Sequence, residues 1–457
     1  MRENLGRGRE LIAPKFNLCD EKFKRFRDRR GRFAGSGEPK TTCRFCGSAN
    51  VVKSGFNPTK YGWKQRYLCK DCLATFTRTP ELVKGNKFGE RCTEDIERQK
   101  VKGLKRFCDF VRRTIYPALD FGLFPQATYD SETFLDLLTH LAVTHDFAEN
   151  GSKTFKFLRG KGPSADDLLW HIEGFDVGEV EQKFIEVLKR VLTFAQPLGL
   201  SRRKRFDVAI DVHDWLWYGK PAPGALRTRP KRGTSRAFKF ISLSVLHGGF
   251  RFVLLALPLE KQREFAGKVE ELLRFATRWI KIRRVYLDGE FYQLEVIRVM
   301  KSLGLNFVVR APVRTKGTIA RVRKTRLPAV LHHTMKTRTG KIEVKLVVVK
   351  GKRRRQCFAT NLGVTHEDAE RLAEAFGKRW GIETSYRVLK DFRPKTASPE
   401  RVVRFFLFMF SVCLHDCWVL ANMSTGKLVL KFIPNKPFVT AKLFAIVLYA
   451  GPGPPVI

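Results

Sequence analysis

Negative charge is what this chain has least of. Asp and Glu total 45 of 457 residues against 87 Lys and Arg, a formal net charge of +42. Like charges repel in the compact state, so the imbalance works against folding and points to a polyanionic partner. Nucleic acid fits first and an acidic membrane surface second. Cysteine is scarce as well: ten residues, about 2% of the chain, which excludes a disulfide scaffold and fits a reducing compartment. The opening residues, Met1-Arg2-Glu3-Asn4-Leu5-Gly6, hold no apolar run and are not expected to be a signal peptide. Only residues 405–423 have the apolar character of a membrane span. His415 and Asp416 within that stretch favour a buried helix instead. There is no internal repeat and no long low-complexity tract. With 43% apolar residues, 38 of them Phe, wholesale disorder is excluded, and the length suits two to four domains.

Read in order, residues 1–40 form a basic arm in which Arg25, Arg27, Arg29, Arg30 and Arg32 crowd together. Residues 90–200 carry helical patterns and are expected to contact DNA. Ser164-Ala165-Asp166-Asp167 is a helix-start signature, Gly174 a stop, and Asp176 with Glu179 a second start. Two short helices joined by a glycine turn suit either a helix-turn-helix or an ordinary helical linker. From Phe206 the period changes. Strands are expected at 206–212, 237–245, 250–257, 284–287 and 306–310, with helices at 261–281 and 292–303, a mixed α/β sheet. Residues 312–361 interrupt this rhythm as an inserted β-rich module whose clearest strand is 342–349. Between Arg314 and Arg355 there are 15 Lys/Arg and one acidic residue, Glu343, so Arg353, Arg354 and Arg355 are candidates for DNA contact. Helices resume at Glu367, and residues 425–457 read as a C-terminal tail.

Two C-x-x-C pairs, Cys43/Cys46 and Cys69/Cys72, sit 22 residues apart, with strand-forming residues Val51-Val52 and Arg66-Tyr67-Leu68 between them. Four thiolates in two knuckles suit one tetrahedral Zn²⁺, and a segment of 41–80 has no core of its own without it. A zinc ribbon is the expectation. Cys19, Cys92, Cys108 and Cys357 have no such pattern, and Cys413 and Cys417, four apart in an apolar helix, suit core packing.

In so basic a chain the carboxylates are informative. Asp211 ends the apolar strand run Val208-Ala209-Ile210, and Asp288 ends Val285-Tyr286-Leu287. Asp207 and Asp214 compete with Asp211; Asp207 reads as a strand-start residue beside Arg205, and Glu290 as the start of the following helix. Phe376, Arg379, Glu383, Arg387 and Lys390 are spaced 3, 4, 4 and 3 apart, one face of a helix. Such a face either surrounds a site for metals and phosphates or is an ordinary surface with i, i+4 ion pairs.

This order of strands and carboxylates resembles the DDE transposases of bacterial and archaeal insertion sequences. One branch carries Y-x2-R-x3-E-x6-K around its glutamate, and this chain has Phe376-x2-Arg379-x3-Glu383-x6-Lys390, with Phe in place of Tyr. That branch also has an aromatic three residues after its second aspartate, matched by Phe291, and a β-insertion before the glutamate. The resemblance covers about 206–424. It implies a ribonuclease-H-like catalytic core over 201–424, preceded by the zinc ribbon and the helical region. It further implies that Asp211, Asp288 and Glu383 hold two Mg²⁺ (or Mn²⁺) for strand cleavage and transfer. Arg379, Arg387 and Lys390 would then meet phosphate charge. DNA is the implied partner, bound by a homodimer when two ends are synapsed, in a prokaryotic cytoplasm and with no membrane. A zinc-ribbon regulator without catalysis, or a domesticated nuclease that cuts without inserting, would carry much of the same sequence. Trp215, Trp217 and Tyr218, just past Asp211, either stack on an unpaired base or pack within the protein.

Overall fold

The computed structural model describes residues 43, 49–59, 62–71, 75–77, 87–201, 203–247, 250–313, 320–351, 354–377, 387–430 and 437–451. The chain divides into two compact units, Met1–Asp95 and Ile96–Ile457.

In the first unit, β1 (Val51–Thr59), β2 (Gly62–Cys69) and β3 (Thr75–Thr77) form an antiparallel three-stranded sheet. The strand material expected between the cysteine pairs is therefore present. Val51 pairs with Cys69, and the buried Cys43 and Cys69 share one small apolar cluster with Val51 and Tyr67. Cys46 and Cys72 lie outside the described residues.

The second unit opens with helices. α1 (Lys87–Phe110), which begins in the first unit, is followed by α2 (Ser131–Thr144), α3 (Ala148–Arg159), α4 (Ala165–Glu173) and α5 (Val177–Ala195). Both predicted helix starts form. Ser164 Oγ accepts the Asp167 N–H at 3.0 Å, and Asp176 and Glu179 close a reciprocal capping box at 2.7 and 2.8 Å.

The sheet then begins with β4 (Arg205–Trp217), β5 (Ala225–Lys231), β6 (Thr234–His247) and β7 (Phe250–Leu259). It continues through α6 (Phe265–Trp279), β8 (Lys281–Leu287), α7 (Leu294–Ser302) and β9 (Phe307–Ala311). The spatial order β7-β6-β4-β8-β9, antiparallel through β4 and parallel from β4 to β9, is the ribonuclease-H-like arrangement. Beyond β9 the chain adds α8 (Ala320–Lys324), β10 (Ala329–Thr337), β11 (Gly340–Lys350) and β12 (Arg355–Thr360). The predicted β-rich insertion is present and joins the core sheet: β12 pairs with β9, and β11 and β10 extend the same sheet to nine strands. β5 was unexpected, because its alternation of Arg and Lys carries no hydrophobic period.

Side chains alternate across β4. Val208 and Ile210 share a core with residues of α6 and α7. Ala209 lies on the other face, in a cluster with Tyr286, Val308, Phe358 and residues of α9 (Ala369–Gly377). α10 (Arg401–Leu430) covers the rest of that second face, where Phe408 stacks on Phe240 at 4.3 Å and tilts against His213. α10 is the one helix among the described residues long and apolar enough to cross a membrane, but 94% of that apolar window is buried inside the protein. It serves as the central core helix, packed on α5, α4 and β7. After it, α11 (Ala441–Ala450) packs back on α2, so the presumed tail includes a folded helix.

Candidate active site

In the parallel β4–β8 pair, Ile210 is level with Leu287. Each is followed by an aspartate, Asp211 midway along β4, which runs on to Trp217 rather than stopping near 212, and Asp288 just past the end of β8, so the register sets the two carboxylates side by side. Adjacent strands lie about 4.8 Å apart, within the span of one cation's ligand shell. Asp211 falls on the β4 face that carries Ala209 and His213, the face covered by α9 and α10. Its Oδ1 accepts the N–H of Val212 at 3.0 Å. Asp288 caps a 3-10 turn, Gly289–Phe291, that ends the strand. Phe291 is fully buried and meets Phe265 edge-on at 5.3 Å, which anchors this turn. Glu290 lies exposed in the same turn, before α7 starts. Both aspartates are half-buried, a setting that suits a hard divalent cation. Among the described residues no three metal-ligating side chains converge; Glu383 and Arg379 lie outside the described residues.

The stretch holding Glu383 is bracketed on both sides. Before it, Phe376 is buried in α9 with its ring 4.8 Å from Phe358 and 6.0 Å from Tyr286, two residues ahead of Asp288 on β8. Phe at this position is a core residue of the site-bearing face. After it, residues 387–391 are helical, with Arg387 and Lys390 exposed. Partial burial, then the charges of Arg393, Arg232 and Lys231, lower the Lys390 pKa, while Asp214 opposes the shift. Lys390 thus belongs to the neighbourhood of Asp214, three residues beyond Asp211.

The two competing aspartates are engaged elsewhere. Asp207 takes bidentate hydrogen bonds from Arg283 at 2.8 and 2.7 Å and from Arg284 at 3.2 and 3.0 Å. Its partners are these arginines of β8 rather than Arg205. Asp214 binds Lys239, directly across the β4–β6 ladder, and Lys231, each at 2.7 Å. Both carboxylates are held below the usual range because these hydrogen bonds outweigh burial. His213 donates to or accepts from Ser242 Oγ at 2.9 Å. Burial, then Lys390 and Arg393, depress its pKa to about 3, so it is neutral at physiological pH.

The basic candidates of the insertion separate. Arg354 is exposed, and Arg353 lies outside the described residues. Arg355 donates to the carbonyls of Val322 and Thr325 and so holds α8 against β12. That contact is structural, and nothing local in the sequence marks it. Cys108, Cys357, Cys413 and Cys417 are buried. Cys357 is pushed up to about 12, and Cys108 and Cys417 higher still, so these thiols are inert.

Comparison with curated proteins finds no match. Among solved structures, the piggyBac transposase in a synaptic complex with hairpin DNA aligns over 77% of this chain and 79% of that one, at 12% identity and a TM-score of 0.46. Residues 208–415, the stretch that runs from β4 through Asp211 and Asp288 into α10, match the family model of the transposase DDE domain.

Proposed function

We propose that this chain is a DNA transposase that cleaves strands at element ends and joins the resulting 3′-OH to target DNA. The observation that carries this reading is the side-by-side placement of Asp211 and Asp288 by the register of the parallel strands β4 and β8, inside the transposase DDE match. Glu383, the glutamate of the Phe376-x2-Arg379-x3-Glu383-x6-Lys390 pattern, completes the proposed carboxylate set. Mg²⁺ or Mn²⁺ bound by these three residues would supply Lewis-acid activation of the attacking oxygen and charge stabilisation at phosphorus. The chain's own part is to hold the carboxylates rigidly on neighbouring parallel strands and to bring cations to the phosphates. Arg379, Arg387 and Lys390 would serve that second purpose. His213 is bound to Ser242 and packs against Phe408.

DNA is the partner, consistent with a net charge of +42, and two copies meet when two ends are synapsed. One Zn²⁺ on Cys43, Cys46, Cys69 and Cys72 would hold the amino-terminal sheet. The burial of Cys43 and Cys69 in one cluster supports that site.

The test uses linear DNA carrying the gene's own flanking sequence, the purified protein and Mg²⁺ or Mn²⁺. Site-specific cleavage and joined products are expected. Asp211→Asn, Asp288→Asn and Glu383→Gln should each abolish them while DNA binding persists. Undiminished cleavage by Asp211→Asn would overturn the site. Tight binding without cleavage in either metal would support a regulator.

A further inference from the structure

Negative charge is scarce in this chain, and it is not spread evenly. Residues 120–186, from the approach to α2 into α5, hold 13 Asp/Glu against five Lys/Arg, while the rest of the chain holds 32 against 82. The reversal peaks in the α4–α5 pair. From Ala165 to Glu186 there are seven carboxylates and one Lys or Arg, Lys183. Lys183 is already committed: its ammonium donates to the Asp120 carbonyl at 2.6 Å and lies 4.9 Å from the centre of the Phe175 ring. α4 and α5 have the outline of a helix-turn-helix, but helices of this charge are repelled by DNA phosphates. The same charge turns away an acidic membrane surface.

Exposed aromatic side chains gather in the same stretch. Among the described residues the three most exposed large apolar side chains are Phe157 at 89%, Phe124 at 82% and Trp170 at 70%, and all three lie here. Exposed aromatics of this size mark surfaces on which other proteins dock. Asp166 and Glu173, four residues before Trp170 and three after it, share its side of α4, and both are exposed. An indole flanked by two carboxylates on one helix is a seat for a cationic side chain.

A cleft of about 440 Å³ lies nearby, lined among others by Phe124, Tyr129, Asp120, Asp130, Glu132 and Arg112. Rings connect it to α4. Phe134 packs against Tyr129 at 6.5 Å and His171 at 5.1 Å, and His171 lies 4.8 Å from Trp170. Arg112, the one Lys or Arg lining the cleft, is spent on Glu132 at 2.5 Å, on Asp136 and on the Leu448 carbonyl at 3.2 Å. Asp120 and Asp130 have no ion pair among the described residues. Hydrogen bonds from Ser131 and Thr133 hold both below the usual carboxylate range, so both are charged at neutral pH.

We infer that the Trp170 face and the Phe124 cleft form a docking surface for a Lys/Arg-rich segment of a protein partner, not for DNA. Charge complementarity and the exposed rings together select that occupant. One cation lies over Trp170 between Asp166 and Glu173. Another enters the cleft, its aliphatic stem on Phe124 and Tyr129 and its charge on Asp120 and Asp130. The basic remainder of the molecule stays available to DNA.

The experiment uses the full-length protein and fluorescence anisotropy near physiological salt. The probes are a labelled twelve-residue peptide of alternating Arg and Leu, the same peptide with Glu in place of Arg, and a labelled DNA duplex. The Arg peptide should bind and the Glu peptide should not. Trp170→Ala and Asp130→Asn should each weaken the Arg peptide about tenfold and leave duplex affinity as it is. Both variants keep the fold, because Trp170 is exposed and Asn caps a helix as well as Asp does. Leu428→Ala, at an exposed position near the end of α10, should bind the Arg peptide like the unaltered protein. No binding of the Arg peptide, or equal binding by every variant, would overturn the assignment. Duplex affinity that falls with Trp170→Ala would also overturn it and return α4 and α5 to DNA. Self-association lost in Trp170→Ala, read by sedimentation velocity, would give the face to a second copy and overturn a separate partner.

Discussion

Asp207, Asp211 and Asp214 lie on one strand, yet their surroundings give them different work. Asp207 is gripped by two arginines of β8 and Asp214 by two lysines, whereas Asp211 sits mid-strand, level with Asp288. Substitution should separate these roles. Asp207→Asn leaves Arg283 and Arg284 facing a neutral group and should cost about 2 kcal/mol, since breaking a partly buried pair leaves the other charge uncompensated. Asp211→Asn should abolish cleavage with little effect on stability. The effect of Asp207 also depends on pH. Its folded pKa lies below the unfolded value of about 3.9, so its stabilisation is complete above that value and is lost as pH falls through the folded pKa. Urea unfolding from pH 3 to 7 should therefore show the gap between the native protein and Asp207→Asn narrowing below about pH 4. An equal gap at all pH values would show that Asp207 contributes packing rather than charge. Asp211 and Asp288 were legible in the sequence because an apolar strand run stops at each. The arginine partners of Asp207 were not, because Arg283 is 76 residues away and only the β4–β8 register brings it near. The surroundings of Trp215 were hidden for the same reason: it could be seen close after Asp211, but Arg393 and Arg404, which lie over its ring, arrive from a distant segment.

Among the elements, strands and helices with a clear hydrophobic period were readable, and those whose character is set by a neighbour were not. β4, β6, β7, β8 and β9 follow their alternation or apolar runs. β5 and the junction of β12 with β9 depend on edge pairing, which leaves no local period, so a β-rich insertion was readable but its pairing onto the core sheet was not. α10 shows how an element's context can be tested. Its apolar length alone fits a membrane span or a core helix, and its buried polar residues decide for the core. Asn422 is the clearest. Its Oδ1 accepts the N–H groups of Phe438 and Val439 at 2.5 and 2.6 Å, and its Nδ2 donates to the Trp418 and Val439 carbonyls. One amide thus ties the approach to α11 onto α10. Asn422→Leu keeps the helix apolar but leaves two backbone N–H groups without their acceptor, and should lower stability by about 2–4 kcal/mol. Thermal unfolding measures this directly. A melting temperature equal to that of the native protein would show that the 437–439 segment is held by packing alone.

For the whole molecule, one quantity links folding to function. A net charge of +42 is a cost to the compact state and an asset to DNA binding, and salt acts on both through the same screening. Raising salt should therefore move two observables in opposite directions. The melting temperature should rise between 50 and 500 mM salt, as repulsion among exposed Lys and Arg is screened. DNA affinity should fall over the same range, with log K declining linearly in log salt at about −0.9 per phosphate contacted. Contact with about six phosphates corresponds to a slope of about −5, and a slope of −5 or steeper is expected. Each exposed cation in contact with DNA contributes about one unit. Arg354→Ala should therefore flatten the slope if the β10–β12 edge touches DNA, while Arg355→Ala should lower the melting temperature, because Arg355 donates to the carbonyls of Val322 in α8 and of Thr325 just after it. A melting temperature that falls with salt would mean that specific ion pairs such as Asp207 with Arg283 and Arg284 outweigh the long-range repulsion. A slope near zero would mean that the positive surface is committed to something other than DNA.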